Sequence, residues 1–265
     1  MKRVIVTGAS CRMGKAIAER FAKEGWRVAL LGTSMEPGEM SSPFSGSVRA
    51  TAERVEELGG RAFPVKVDFR CGRGLEVSLH KAMADLGGGV DVLVNTASTL
   101  LLDRRPSVHS MDLLYQVHTR GCLLSIQTCL DALAQTKGSV VTLSPPLRLG
   151  RLEWISDHPA YTISKYSMTL ATLQAASEEV RANTVWPART VATAATRRAE
   201  VAEGALPCGR PASHTAEAVF RVATSHTTNA QTLLDDDVVA PCPSLPRAPL
   251  DAFVEDTTST KSFSC

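Results

Sequence analysis

Aromatic side chains are scarce in this chain: phenylalanine, tryptophan and tyrosine together make up 5% of its 265 residues. Neither sign of charge dominates, and the formal net charge is only +2. Without a broad basic field or aromatics set among basic residues, the sequence lacks the electrostatic footprint and stacking platforms of a nucleic-acid binder. No apolar run approaches the roughly 20 residues needed to span a bilayer. The seven cysteines contain no Cys-x-x-Cys pair and no zinc-spaced Cys/His cluster, so no metal centre is expected. Their odd number and scatter, from Cys11 to Cys265, suit free thiols in a reducing compartment. The first apolar strand begins at Val4, which leaves no expected leader, and the C-terminal Ser-Phe-Ser-Cys is neither a Ser-Lys-Leu address nor a prenylation box. The expectation is a cytoplasmic protein whose partner is a small molecule, with neither nucleic acid nor membrane involved.

What is present is organised around residues 4–17. A β-branched run, Val4-Ile5-Val6-Thr7, ends in Gly8-Ala9-Ser10-Cys11-Arg12-Met13-Gly14 and passes into Lys15-Ala16-Ile17, where helical apolar spacing starts. In a strand–turn–helix unit, the turn's N–H groups and the positive end of the helix dipole face the same way and suit a pyrophosphate. Glycine lets the backbone approach such a guest closely. Five residues separate Gly8 from Gly14, and Ala16 stands where a nucleotide-triphosphate loop needs Ser or Thr, so that reading fails. The Gly-x-Gly-x-x-Gly dinucleotide turn also lacks its third glycine here.

Downstream, short apolar strands alternate with helical patterns. Strands are expected at residues 27–31, 62–68, 90–95, 139–144, 183–186 and 231–234, and helices at 49–58, 75–86, 107–135, 159–180 and 215–224. This alternation predicts an α/β fold, a doubly wound three-layer sandwich of Rossmann type with a mainly parallel, seven-stranded sheet. Residues 1–240 would form the domain, residues 188–212 a mobile substrate loop within it, and residues 241–265 a Pro/Ser/Thr-rich tail.

Tyr161-Thr162-Ile163-Ser164-Lys165 opens the helix expected at 159–180. Tyrosine and lysine at i and i+4 share a helical face. A free phenol ionises near pH 10, and lowering this by about three units takes about 4 kcal/mol. A neighbouring ammonium and a bound nicotinamide cation can supply that stabilisation.

The ordered motifs resemble those of the short-chain dehydrogenases/reductases. Thr7-Gly8 to Gly14 resembles that family's glycine turn, and Asp68 stands where it has an aspartate near the adenine. Asn95-Thr96-Ala97-Ser98 stands at its Asn-Asn-Ala-Gly, Tyr161 and Lys165 at its Tyr-x-x-x-Lys, and Asn183 to Pro187 at its Asn-x-x-x-Pro. The resemblance covers residues 3 to 240. Ser144-Pro145-Pro146-Leu147, Ala160 to Tyr166 and Trp186-Pro187 fit the hydroxysteroid dehydrogenase-like branch more closely, although the sterol-carrier domain common there is not expected in this chain.

The resemblance implies hydride transfer between a nicotinamide cofactor and a carbonyl or secondary alcohol. Tyr161 would be the acid/base, Lys165 would bind the nicotinamide ribose, and Ser144 would donate to the oxyanion. Ser98 and Ser156 are other serines that could face the site, because Pro145 falls on the family's usual serine. His118 replaces the family's helix asparagine, either as a proton relay or as a hydrogen-bonded packing residue. Arg12 replaces the middle glycine of the turn: it either weakens cofactor binding or contacts phosphate, as an arginine does in pteridine reductases. Strand two ends in Leu31-Gly32-Thr33-Ser34 with no carboxylate before Glu36, which favours NADP(H) over NAD.

The implied cofactor contacts are Gly8, Ser10, Cys11, Arg12, Met13, Gly14, Thr33, Ser34, Asp68, Asn95, Ala97, Lys165, Pro187 and Thr190. Trp154, Trp186 and Leu149 would form an apolar wall for a lipophilic substrate, and the long helices suggest a homodimer or homotetramer. Two alternatives are a catalytically impaired NADP(H)-binding sensor or scaffold, and a reductase of the pteridine-reductase kind.

Overall fold

The computed structural model describes residues 1–10, 12–37, 39, 46–147, 152–188, 191 and 210–239, with the backbone alone at 152–154. Among these residues seven strands form one sheet: β1 Arg3–Thr7, β2 Arg27–Gly32, β3 Arg61–Lys66, β4 Val92–Asn95, β5 Ser139–Leu143, β6 Arg181–Trp186 and β7 Thr232–Leu234. All pairings are parallel, in the order β3-β2-β1-β4-β5-β6-β7, which confirms the doubly wound expectation. Strand β1 sits between β2 and β4, with Val4 level with both Val28 and Val92. Strand order reverses at β1 and β4, so their carboxyl ends open the crevice where this kind of sheet receives ligands.

Side chains alternate across β1 and separate two cores. Val4 and Val6 face one, built with Ile17, Phe21, Trp26 and Val219; Ile5 faces the other, with Leu75, Leu79, Ile126 and Met168. The first layer is carried by α1 Arg12–Ala22, α2 Val48–Glu57 and α8 Ala212–Thr224. Opposite them lie α3 Gly72–Asp85, α4 Val108–Leu114, α5 Gly121–Gln135 and α7 Pro159–Leu173. Two short helices, α6 Leu152–Asp157 and α9 Asp235–Val238, were not foreseen from apolar spacing.

Most boundaries lie within three residues of expectation, and two helices depart further. The helix expected at 107–135 is divided by a π-helical turn, Tyr115–Arg120, which joins α4 to α5. The helix expected at 159–180 stops at Leu173, and a turn in which Ser177 N–H donates to Val180 O leads early into β6. Most of the expected substrate loop, the tail at 241–265, Leu149, Cys11, Thr190 and the side chain of Trp154 lie outside the described residues.

Candidate active site

The glycine turn is built by close approach. Gly8 has a φ of 70°, and a Cβ on it would come within 2.8 Å of the Ala97 backbone; a Cβ on Gly14 would lie 2.2 Å from Gly8 O. No larger residue fits at Gly14 without moving the turn. Thr7 fastens this turn to the end of β4, its hydroxyl accepting from Thr96 N–H at 3.1 Å and Ala97 N–H at 3.2 Å, while the Thr96 hydroxyl donates to Thr7 O. Thr7 is thus a site-building residue that the sequence reading passed over, although it precedes Gly8 in the motif. Arg12 also has a positive φ, 55°, in a region where a side chain is strained, and it remains exposed at the start of α1.

The far side of the crevice is made by α7, which starts with Pro159 at a position suited to proline. Its inner face buries Tyr161, Ser164, Lys165, Met168 and Thr169. Lys165 Nζ donates to Leu143 O at 2.8 Å, lies 3.2 Å from Met168 Sδ and stands 5.4 Å from the centre of the Trp186 ring. Burial lowers this ammonium to about 8. Burial pushes the Tyr161 hydroxyl the other way, up to about 12, against the Arg12 charge and a hydrogen bond with Ser98. The cation acting on the free phenol is therefore Arg12, from the glycine turn, whereas the Lys165 charge acts on the His118 imidazole. Leu101, Leu102, Leu114, Ala160, Tyr166 and Trp186 pack around Tyr161 as an apolar cluster.

His118 comes from the π-helical turn and is fully buried. Thr99 N–H donates to its Nε2 at 3.0 Å, and the Ser98 hydroxyl lies 2.9 Å from the same nitrogen. Nδ1 is 2.9 Å from the Ser164 hydroxyl, which donates in turn to Tyr161 O at 2.8 Å. A backbone N–H can only donate, so Nε2 accepts and the ring hydrogen sits on Nδ1. Burial and the Lys165 charge hold this imidazole well below its usual range, hence neutral.

The other expected site residues are placed as follows. Ser144 is fully buried, and its hydroxyl accepts from Thr169 at 2.9 Å; Pro145 O accepts from the same threonine at 2.7 Å. Asn95 ends β4 with its Nδ2 buried and without a partner among the described residues. Ser10, Met13 and Ala97 line the turn region, while Thr33 is exposed and Ser34 buried past β2. Asp68 lies beyond β3, where a bidentate pair with Arg70, at 2.8 and 2.9 Å, holds its carboxyl below the usual range. Asn183 staples β6 to the end of the sheet, donating to Thr228 O and accepting from Gln231 N–H, both at 3.0 Å. Ser156 is exposed on α6.

Just after Pro187, Ala188 N–H donates to the buried Asp235 at 2.8 Å; Asp235 also accepts from Arg210 at 3.2 Å and from Thr215 at 2.6 Å. Both ends of the expected substrate loop are thereby held by one carboxylate. Its only trace in the sequence is the Asp235-Asp236-Asp237 run at the start of a helix.

The short chain dehydrogenase family matches residues 2–203 of this chain. Hydroxysteroid dehydrogenase-like protein 2 of Homo sapiens is 35% identical over 198 residues, 72% of this chain and 46% of that protein. The Danio rerio protein of the same name is 31% identical over 244 residues, 89% of this chain and 57% of its own length. The chain thus spans about half the length of these relatives. Among solved structures, a short chain dehydrogenase from Mycobacterium thermoresistibile has a TM-score of 0.78 and 32% identity, covering 89% of this chain and 85% of that one. With the family matched over most of its length and the glycine turn and Tyr161/Lys165 pair facing one crevice, the chain belongs to the short-chain dehydrogenase/reductase family.

Proposed function

We propose that the chain is an NADP(H)-dependent oxidoreductase that interconverts a carbonyl and a secondary alcohol on a lipophilic small molecule. The observation that carries this reading is the burial of Tyr161 and Lys165 on one face of α7, across the crevice from the Gly8–Gly14 turn. The turn, the N–H groups at the start of α1 and the Asn95 Nδ2, which has no partner among the described residues, fit a dinucleotide laid over β1 and β4. Arg12 and Thr33, with no carboxylate free at the end of β2, favour a ribose phosphate; Glu36 beyond them is bonded to Arg49 at 2.6 Å.

A bound nicotinamide supplies the hydride. In reduction, Tyr161 protonates the alkoxide as it forms. Lys165, held by Leu143 O, presents its ammonium to the ribose side and to the phenol. The apolar cluster around Tyr161 excludes water and suits an apolar substituent beside the carbonyl. The inferred assembly is a homodimer or homotetramer, supported by the apolar side chains exposed on α4 and α7.

The sensor or scaffold reading draws on one specific observation, the phenol raised to about 12 in the free protein. Titrating the chain with NADPH and NADH, followed by a panel of aliphatic and cyclic ketones and of pterins, separates the readings. Expected are tighter binding of NADPH, its oxidation by apolar ketones, and a loss of roughly 100-fold or more in turnover for Tyr161→Phe with binding retained. Arg12→Gly should weaken NADPH selectively. Binding without turnover, indifferent to Tyr161→Phe, would establish the scaffold, and turnover confined to pterins the pteridine-reductase reading.

A further inference from the structure

We propose that Ser98, positioned by the Nε2 acceptor of His118, is the hydroxyl that stabilises the Tyr161 oxygen once tyrosine has given up its proton. This rests on the acid/base reading of Tyr161, and the role is distinct from the oxyanion contact that the family resemblance implied for Ser144. Ser98 is exposed on the crevice side of the β4 end, whereas Ser144 is fully enclosed and tied to Thr169.

The hydrogen-bond directions make the assignment specific. A serine hydroxyl has one hydrogen and two lone pairs. While Tyr161 is protonated, its O–H can donate to Ser98 Oγ, and the Ser98 hydrogen points to His118 Nε2 at 2.9 Å. When Tyr161 becomes a phenolate, rotation about the Ser98 C–O bond turns that hydrogen to the phenolate. The rotation strands no acceptor, because Thr99 N–H remains on Nε2 at 3.0 Å. A buried acceptor left bare would oppose the move by about 1–3 kcal/mol.

His118 carries no proton on the nitrogen that faces Ser98, so it has none to pass along: it is a positioning residue, fixed from behind by Ser164 at 2.9 Å and packed edge-on against the Tyr161 ring at 5.7 Å. The charged and titratable groups around this pair are Arg12 from the glycine turn, which acts on Tyr161, His118 from the π-helical turn, which packs on its ring, and Lys165, which acts on His118.

The test combines NMR of the full chain, labelled at tyrosine 13Cζ and histidine 15N, with pH profiles of NADPH-dependent ketone reduction. The Tyr161 resonance, identified by its loss in Tyr161→Phe, should move in Ser98→Ala and return in Ser98→Thr. His118 should stay neutral with hydrogen on Nδ1 from about pH 5 to 8. In turnover, Ser98→Ala should raise the apparent pKa of the acid/base by about one unit and lower kcat roughly tenfold, with little change in KM. His118→Ala should reproduce that shift, and His118→Gln, whose amide oxygen can accept in place of Nε2, should restore much of the profile. A Tyr161 resonance indifferent to Ser98→Ala, an imidazolium forming at His118 within that range, or a profile moved only by Ser144→Ala would overturn the proposal. Absence of any carbonyl reduction would instead defeat the enzymatic reading, while the resonances still decide the Ser98 contact.

Discussion

Lys165 shows how far one side chain is held from its preferred state. Its ammonium is buried beside the Leu143 carbonyl, the Met168 thioether and the Trp186 indole, and burial lowers it to about 8 from 10.5. Between those values the unfolded chain binds the proton and the folded chain does not, so this group makes stability rise with pH through that window. At neutral pH the charged lysine therefore costs the fold about 3 kcal/mol. Lys165→Met should abolish turnover yet raise the thermal midpoint at pH 7 by roughly 4–10 °C, and that advantage should shrink at pH 10. An equal gap at both pH values, read by circular dichroism melts, would count against the burial argument. Tyr161 acts with the opposite sign at high pH, since its raised value removes stability as pH climbs from about 10 to about 12. Tyr161 and Lys165 were both legible, because a four-residue spacing on a helix fixes a shared face. Which serine stands beside the phenol was not, because Ser98 and Ser144 end adjacent parallel strands and only packing turns one outward and the other inward.

Among the elements, the glycine turn and the π-helical turn behave differently. The turn follows from local chemistry: Gly14 leaves room for Gly8 O, and the substitution Gly14→Ala would place a methyl 2.2 Å from that oxygen. The expected outcome is a loss of about 2 kcal/mol or more of stability and of measurable NADPH binding, checked by denaturant melts and cofactor fluorescence. Retained NADPH affinity in a stable Gly14→Ala protein would refute the packing of this turn. The π-helical turn left no such trace, and continuous apolar spacing from 107 to 135 read as one helix. One wider turn brings His118 wholly inside, where Ser98, Thr99 and Ser164 supply its hydrogen bonds. The partners that stabilise it are 19, 20 and 46 residues away in the chain, so no local window could contain them. Helix α7 ends early for a related reason, as the chain must turn at Ser177 to enter β6 beside β5.

At the scale of the whole molecule, α4 and α7 lie together and leave large apolar side chains in water: Val108 is 69% exposed, Met111 43%, Ile163 66% and Leu170 58%. No helix among the described residues is long and apolar enough to cross a membrane. We propose a second copy of the chain as the cover. Light scattering should give a dimer or tetramer, and Ile163→Glu with Leu170→Glu should yield a folded monomer; an unchanged mass would place the interface elsewhere. Parallel strands buried on both faces must be apolar, and crossover helices must alternate with them, so the strand–helix order and the doubly wound sheet were already written along the chain. The glycine turn and the Tyr161/Lys165 pair were written there too, since each is set by spacing within a few residues. The partners of His118, the inward turn of Ser144, the Asp235 clamp on Ala188 and Arg210, and the charge of Arg12 felt at Tyr161 arise only when distant segments meet. Hydrogen bonds and electrostatic fields depend on distance in space, and the folded sheet alone sets those distances.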